Sequence, residues 1–287
     1  MTAANPSASP EIANRLAVGE CTFNYHDRGQ GEVILLIHGS GPGVTAWANW
    51  RGVIPTLAQR ARVIAPDMLG FGYTRCPSQW KLDPATWVQS LIGLLDALHI
   101  DQVAIVGNSF GGAIALAFAA AHPQRVSRLV LMGAAGLSFP LTEGLDKVWG
   151  YQPSLPAMRE LMEVFAYDHS LINDDLVRMR YEASVRDDVQ SRFAQLFPAP
   201  RQQGVEMLAL AEGALSALAH PTLLIHGRDD RVIPLALSER MLRLIPNSQL
   251  HVFGGCGHWV QIEKAQAFTR LLVDFLIDEP ATAGAQA

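Results

Sequence analysis

Residues 103–121 constrain this 287-residue chain more than any other stretch. Val103, Ala104, Ile105 and Val106 run straight into Gly107-Asn108-Ser109-Phe110-Gly111-Gly112, and an almost wholly apolar, alanine-rich stretch follows. The first run reads as a buried strand and the last as a helix buried nearly all round. Gly-x-Ser-x-Gly between them is a sharp strand-to-helix turn that holds its serine in a strained backbone conformation, so the flanking positions must be small. The serine oxygen then projects above a sheet near a helix N-terminus, where unpaired N–H groups favour developing negative charge.

The rest of the chain supplies the sheet. Val33–Ile37 and residues 63–65, 129–132, 222–225 and 250–253 are short apolar runs of the kind that form buried parallel strands. Trp87, Leu91, Leu94, Leu95 and Leu98 share one helix face, and residues 265–275 form another amphipathic helix. Alternating strands and helices predict a mostly parallel sheet with helices on both faces. The alternation breaks over residues 137–215, which are rich in Met, Arg, Tyr and Pro and hold helical stretches at 156–167 and 174–184. Strand-like runs resume at Thr222 and are needed to complete the sheet, so this stretch reads as an inserted helical cap. The expected division is a core over 1–136, a cap over 137–215 and the core again over 216–287. The ends before Glu11 and after Glu279 read as frayed tails.

Composition excludes several classes. With 49% hydrophobic and 17% charged residues the chain is globular and not disordered. A net charge of −5 argues against general nucleic-acid binding, which needs a basic face. Cys21, Cys76 and Cys256 are scattered and odd in number, which suits free thiols in a reducing compartment and offers no metal site. Residues 1–10 lack the basic and apolar regions of a signal peptide, and the apolar stretch at 113–121 is too short to cross a bilayer. A cytoplasmic protein without metal or cofactor is expected.

A serine hydroxyl needs a base. Of nine histidines, His38 lies in a glycine turn that it would shape, His122 at a helix end, and His226 at the end of an apolar strand as a satisfied core residue. His258 follows the last strand in Gly254-Gly255-Cys256-Gly257-His258-Trp259, a flexible loop able to carry an imidazole over the sheet edge. The acid should fall between serine and histidine after a strand, and either Asp229 or Asp230 meets that condition. His38-Gly39-Ser40-Gly41-Pro42-Gly43 follows the strand Val33–Ile37, where the backbone N–H of Ser40 would join that of Phe110 in an oxyanion hole. As a phosphate cradle this glycine run fails, since it lacks the lysine of a P-loop and the dinucleotide spacing.

Together the glycine loop, Trp47, Asn49-Trp50, residues 63–72, the serine turn, Val148-Trp149-Gly150-Tyr151, Phe197-Pro198-Ala199-Pro200-Arg201-Gln202 and Cys256-Gly257-His258-Trp259 resemble the meta-cleavage-product hydrolases. These have the α/β-hydrolase fold, and the likeness spans nearly the whole chain, nearest to the 2-hydroxymuconate-semialdehyde hydrolases. The family pattern places the acid four residues before a proline, which selects Asp230 and leaves Asp229 as a turn or surface residue. The resemblance implies cofactor-free hydrolysis of a carbon–carbon bond in an anionic ring-opened dienoate, after conversion of the dienol to a keto tautomer. It implies that Arg180 binds the 2-oxo acid end, that Asn108, Trp259 and Gly41 flank the substrate, and that Trp149 either lines the pocket or packs behind it. It makes a homo-oligomer an expectation.

One departure stands out, because close relatives carry tryptophan where this chain has Gly204. The missing indole either leaves extra room beside the substrate or is filled by a neighbour such as Met207 or Leu208. Two rival functions use the same features: a carboxylesterase with the same triad, and a non-catalytic ligand receptor on the same fold. Ser109 excludes the dehalogenases and epoxide hydrolases of this fold, which place aspartate at the turn.

Overall fold

The computed structural model describes residues 9–278. The tail expected after Glu279, and most of the one expected before Glu11, lie outside the described residues. Eight strands form one sheet: β1 (Asn14–Val18), β2 (Cys21–Arg28), β3 (Val33–Ile37), β4 (Arg62–Pro66), β5 (Val103–Asn108), β6 (Val126–Met132), β7 (Thr222–Gly227) and β8 (Ser248–Phe253). Their order is β1-β2-β4-β3-β5-β6-β7-β8. From β4 to β8 every pairing is parallel, while β1–β2 and β2–β4 are antiparallel.

Before the serine turn come α1 (Ala46–Trp50), α2 (Ile54–Leu57) and α3 (Pro84–Ala97); α4 (Phe110–Ala121) follows it. Between β6 and β7 lie α5 (Glu143–Trp149), α6 (Leu155–Phe165), α7 (Asp174–Val185), α8 (Val189–Leu196), α9 (Gln202–Leu208) and α10 (Glu212–Ser216). The chain ends with α11 (Leu235–Leu244), α12 (Val260–Glu263) and α13 (Ala265–Val273), the last passing into a π-helical turn, Asp274–Asp278. No strand interrupts α5–α10, and α9 and α10 rest on α4 and on α4 with α11 respectively.

Strand residues alternate between two cores. Leu35, Ile37, Ile105, Leu129, Leu131 and Leu224 face α3, α4 and the α5–α9 layer, whereas Ile34, Leu36, Val106, Val130 and Ile225 face α1, α2 and α13. Burial on both faces is why these strands read as unbroken apolar runs. Helix α3 shows the local logic. Asp83 caps its N-terminus by accepting from Thr86 N at 3.0 Å, and Pro84 occupies its first turn. Such a cap contributes about 1 kcal/mol. Trp87, Val88, Leu91, Leu94 and Leu95 are buried on its inner face, each worth about 1.5–3 kcal/mol of apolar burial. His99, at φ 54°, turns the chain out of the helix.

The antiparallel edge is the part that the apolar pattern does not reveal. In β2 the buried positions include Asn24 and His26, so no apolar run forms. Asn24 is satisfied inside: its amide nitrogen donates to Asp67 Oδ2 at 2.9 Å and to Glu11 O at 2.8 Å. The chain leaves β3 towards β4 and returns on the other side as β5, which creates a crevice between β3 and β5 at the carboxyl ends of the strands. In open α/β sheets ligands bind at such a reversal.

Candidate active site

The serine turn closes that crevice from below. Ser109 has φ 55° and ψ −114°, a strained conformation for a residue with a side chain, costing about 1–3 kcal/mol. The surroundings hold it there: Ser109 N donates to Met132 O at 2.9 Å, and its carbonyl accepts from Gly112 N at 3.0 Å and Ala135 N at 3.1 Å. A Cβ on Gly111 would lie 2.3 Å from Ile37 O, and one on Gly107 2.4 Å from Gly111 O. Only glycine fits on either side, which is the steric demand read from the motif.

Asp230 and His258 meet across the ends of β7 and β8. His258 Nδ1 lies 2.7 Å from Asp230 Oδ2, and the carboxylate is 1% exposed. Its other oxygen accepts from Val232 N at 2.7 Å and Ile233 N at 3.0 Å. Burial alone would raise the pKa of Asp230, but charge and hydrogen bonds from His258 and His226 outweigh it and hold the carboxyl below the usual range. An ionised carboxylate there fixes the imidazole with Nδ1 protonated, leaving Nε2 free to act as base. His226, read as a core histidine, is wholly buried between Ser238 Oγ (2.7 Å) and Ile233 O (3.0 Å), with Nε2 3.3 Å from Asp230 Oδ2. It therefore faces the same carboxylate oxygen as His258. Asp229 turns away and accepts from Gly255 N at 2.9 Å and Cys256 N at 3.3 Å, so it pins the histidine loop.

The glycine loop lies over Ser109. His38 is buried, with Nδ1–H donating to Gly39 O at 2.7 Å and Nε2 accepting from Met68 N at 3.0 Å, and burial pushes its pKa down to about 4. A neutral His38 thus shapes the turn. A Cβ on Gly39 would meet Asn108 Oδ1 at 2.9 Å, so the loop runs tight against the serine turn. A Cβ on Gly39 would also lie 3.5 Å from Ser109 Cβ, and Ser40 lines the same cavity as Ser109, while Phe110 N–H belongs to the first turn of α4, where helical N–H groups lack partners.

Ser109 and His258 share one cavity of about 370 Å³ with Ser40, Gly41, Asn108, Arg180 and Trp259. The α5–α7 layer gives it an apolar wall of Leu145, Val148, Met158, Leu161, Met162 and Phe165. Phe165 O accepts from His258 N at 2.7 Å, and its ring stacks on His258 and Trp259 at 5.8 and 5.2 Å. Arg180, on α7, donates to Pro42 O at 3.3 Å, and no carboxylate among the described residues pairs with it. Burial lowers its pKa from the ordinary guanidinium value. Two further polar residues, missed in the sequence, face the same cavity: Asn49 and Gln261. The Asn49 amide nitrogen and Gln261 Oε1 are buried without a protein partner. Their signal was faint, a polar residue between Trp47 and Trp50 and another one turn beyond His258. Among the described residues no cluster of His, Cys, Asp and Glu could hold a metal, and no helix is long and apolar enough to cross a membrane.

Residues 32–265 match the family model of the alpha/beta hydrolase fold. The chain belongs to that family. Within it, this hydrolase belongs with the meta-cleavage product hydrolases. It is 55% identical to the 2-hydroxymuconate semialdehyde hydrolase of Pseudomonas sp. strain CF600 over 97% of this chain and 98% of that protein. It is 56% identical to the 2-hydroxy-6-oxo-2,4-heptadienoate hydrolase of Pseudomonas putida strain F1, over 95% and 99%. A solved meta-cleavage product hydrolase from Pseudomonas fluorescens IP01 superposes with a TM-score of 0.93 at 50% identity, covering 94% of this chain and 99% of that one.

Trp149 and Gly204 of the hydrolase pack against each other. Trp149 packs behind the cavity wall: it stacks on Phe197 at 4.1 Å and 3°, and its Nε1 donates to Ser40 Oγ at 3.0 Å. The space beside Gly204 is filled by these same two rings, not by Met207 or Leu208. A Cβ on Gly204 would lie 2.9 Å from Trp149 Cζ3 and 3.2 Å from Phe197 Cδ1. Gly204 therefore opens no room toward the substrate.

Proposed function

We propose that this hydrolase cleaves the carbon–carbon bond next to the terminal carbonyl of 2-hydroxy-6-oxo-2,4-dienoates bearing hydrogen or a small alkyl group there. The products are 2-hydroxypenta-2,4-dienoate and a short carboxylic acid. The observation that carries this reading is Arg180, a partly buried guanidinium without a carboxylate partner among the described residues, in the same cavity as Ser109 and His258. An ester hydrolase needs no cation there. A dienoate needs one, because its carboxylate must be bound and electrons from the broken bond must be received by the 2-oxo acid.

The chemistry then follows from the residues. The substrate carboxylate pairs with Arg180, and the unpartnered groups of Asn49 and Gln261 provide a hydrogen-bond donor and acceptor for the oxygenated end. Protonation of the dienol at carbon 5 gives the keto tautomer. Ser109, or water held by it, attacks the terminal carbonyl while His258 Nε2 takes the proton, and the oxyanion rests on the N–H groups of Ser40 and Phe110. Asp230 stabilises the imidazolium. Collapse breaks the carbon 5–carbon 6 bond, its electron pair is delocalised to the 2-oxo oxygen, and His258 returns its proton to the departing dienolate; where Ser109 is the nucleophile, water activated by His258 then hydrolyses the acyl–serine ester and frees the acid. Residues 137–215 serve as a cap that excludes water, anchored to the core through α9 and α10.

The activities in the names of the two Pseudomonas relatives above differ only by hydrogen or methyl at the cleaved carbonyl, and both fit the apolar wall. The test is kcat/KM for the semialdehyde and 6-methyl dienoates against an aryl acetate. The reading requires the dienoates to be preferred by at least 100-fold; equal or better turnover of the ester overturns it in favour of a carboxylesterase.

A further inference from the structure

Far from the catalytic residues, the antiparallel edge meets the segment that follows β4. Thr22 and Arg75 exchange both backbone hydrogen bonds, Thr22 N to Arg75 O and Arg75 N to Thr22 O, each at 2.9 Å. They are a hydrogen-bonded antiparallel pair. Continued one step outward, that register places Cys21 opposite Cys76, in the non-hydrogen-bonded position type, where Cα atoms of an antiparallel pair typically lie about 4.5 Å apart. Disulfides need Cα separations of about 4.4–6.8 Å. Cys21 is buried in the larger core cluster and Cys76 packs, half-buried, against the same cluster.

We propose that Cys21 and Cys76 form a cross-strand dithiol that a peroxide closes to an intramolecular disulfide. Burial holds both thiols above their ordinary pKa, Cys21 at about 11, so at neutral pH the pair rests protonated and reacts slowly with a peroxide. Oxidation starts at Cys76, the less buried of the two residues, beside Arg192 and Arg75. Its thiolate attacks one oxygen of hydrogen peroxide and the O–O bond breaks, giving a sulfenic acid and hydroxide. The Cys21 sulfur then attacks Cys76 Sγ, the S–O bond breaks, and water leaves with the Cys21 proton. In sum two thiols and one peroxide give one disulfide and two waters: the sulfurs lose two electrons and the peroxide gains them.

The bond would fasten a junction. Arg186 of the cap bonds the Tyr73 hydroxyl at 2.5 Å, and its guanidinium lies 3.8 Å above the Tyr73 ring. Phe71, in the same segment, packs on His38 and Phe110, behind both oxyanion donors. Closing the pair ties the sheet edge to this segment and encloses β2, β3 and β4 in one covalent loop.

The test uses the full chain, purified with thiols reduced, treated with a small excess of hydrogen peroxide at pH 7 and pH 9. Thiol titration of the denatured protein, intact mass and non-reducing peptide mapping report the product. The expected result is a fall from three thiols to one, a mass loss of about 2 Da, a Cys21–Cys76 linked peptide and full reversal by dithiothreitol. Closure should be faster at pH 9. The closed form should melt roughly 5 °C higher, since a long loop is cross-linked without strain. Retention of three thiols, a bond that includes Cys256, cross-linked dimers, or a closed form that melts no higher would each overturn the proposal. Cys76→Ser, which must keep both remaining thiols under the same treatment, checks the partner assignment.

Discussion

At the scale of single residues, the sharpest contrast is between two adjacent carboxylates. Asp230 Oδ2 faces His258 Nδ1 at 2.7 Å, while Asp229 holds the backbone of Gly255 and Cys256. Asp230→Asn puts an amide where the imidazole needs an anion, so kcat should fall on the order of 10³-fold or more. Asp229→Asn keeps an oxygen acceptor for the loop and should remain within a few-fold of the parent. Steady-state kinetics on a dienoate checks both, with Ser109→Ala and His258→Ala as the fully impaired references. Arg180→Gln should cost dienoates about 10- to 100-fold in kcat/KM, the worth of a charged hydrogen bond of about 1.5–3 kcal/mol, while an aryl ester is barely affected. Equal losses on both substrates would make Arg180 structural. Ser109, His258 and the pair Asp229/Asp230 were legible because each sits in a short motif whose backbone geometry demands particular neighbours. Asn49 and Gln261 were not, because a buried amide facing a cavity leaves no local pattern, and only the unfilled hydrogen-bonding atoms reveal it.

Elements explain where reading a sequence succeeds and where it stops. Strands β3 to β7 carry both cores and therefore read as apolar runs; β2 buries Asn24 and His26 against the loop holding Asp67, and its pattern dissolves. Helix α9 was equally opaque, since nothing local to Gly204 tells which ring occupies the missing indole's place. The answer comes from α5, whose Trp149 stacks on Phe197 and fills it. Gly204→Trp must then displace both rings, and overpacking of this kind costs about 1–3 kcal/mol. The same displacement withdraws Trp149 Nε1 from Ser40 Oγ, loosening the glycine loop beside Ser109. Denaturant unfolding should show the loss, and kcat should fall alike for hydrogen, methyl and ethyl substituents. A variant as stable as the parent, with selective loss on the larger substrates, would mean that Gly204 borders the substrate after all.

For the whole molecule, stability against pH is set by a few groups buried in the loops around the crevice. His38 is held neutral, its pKa pushed from 6.5 down to about 4 by burial. The unfolded chain binds this proton more readily, so His38 contributes stability that is complete above pH 6.5 and is lost as pH falls through 6.5 toward 4. Between pH 7 and pH 5 that loss is about 2 kcal/mol. Asp67 works in the opposite direction. Burial raises its pKa from 3.8 to about 6 despite bonds from Ala46 N, Tyr73 N and Asn24, so its native form favours the proton and stability falls as pH rises from about 4 to 6. The two trends partly cancel in the parent, which should therefore show a shallow profile on the acid side. Replacing His38 with Gln removes one of them. A glutamine can still accept from Met68 N and donate to Gly39 O, but it does not titrate. The difference in unfolding free energy between pH 7 and pH 5 should then shift by about 2 kcal/mol relative to the parent, towards greater relative stability of the variant at pH 5. Urea unfolding at the two pH values measures this directly. Parallel profiles for parent and variant would show that His38 is already protonated in the native protein near pH 6, and that it does not sit in the dry, neutral turn described above.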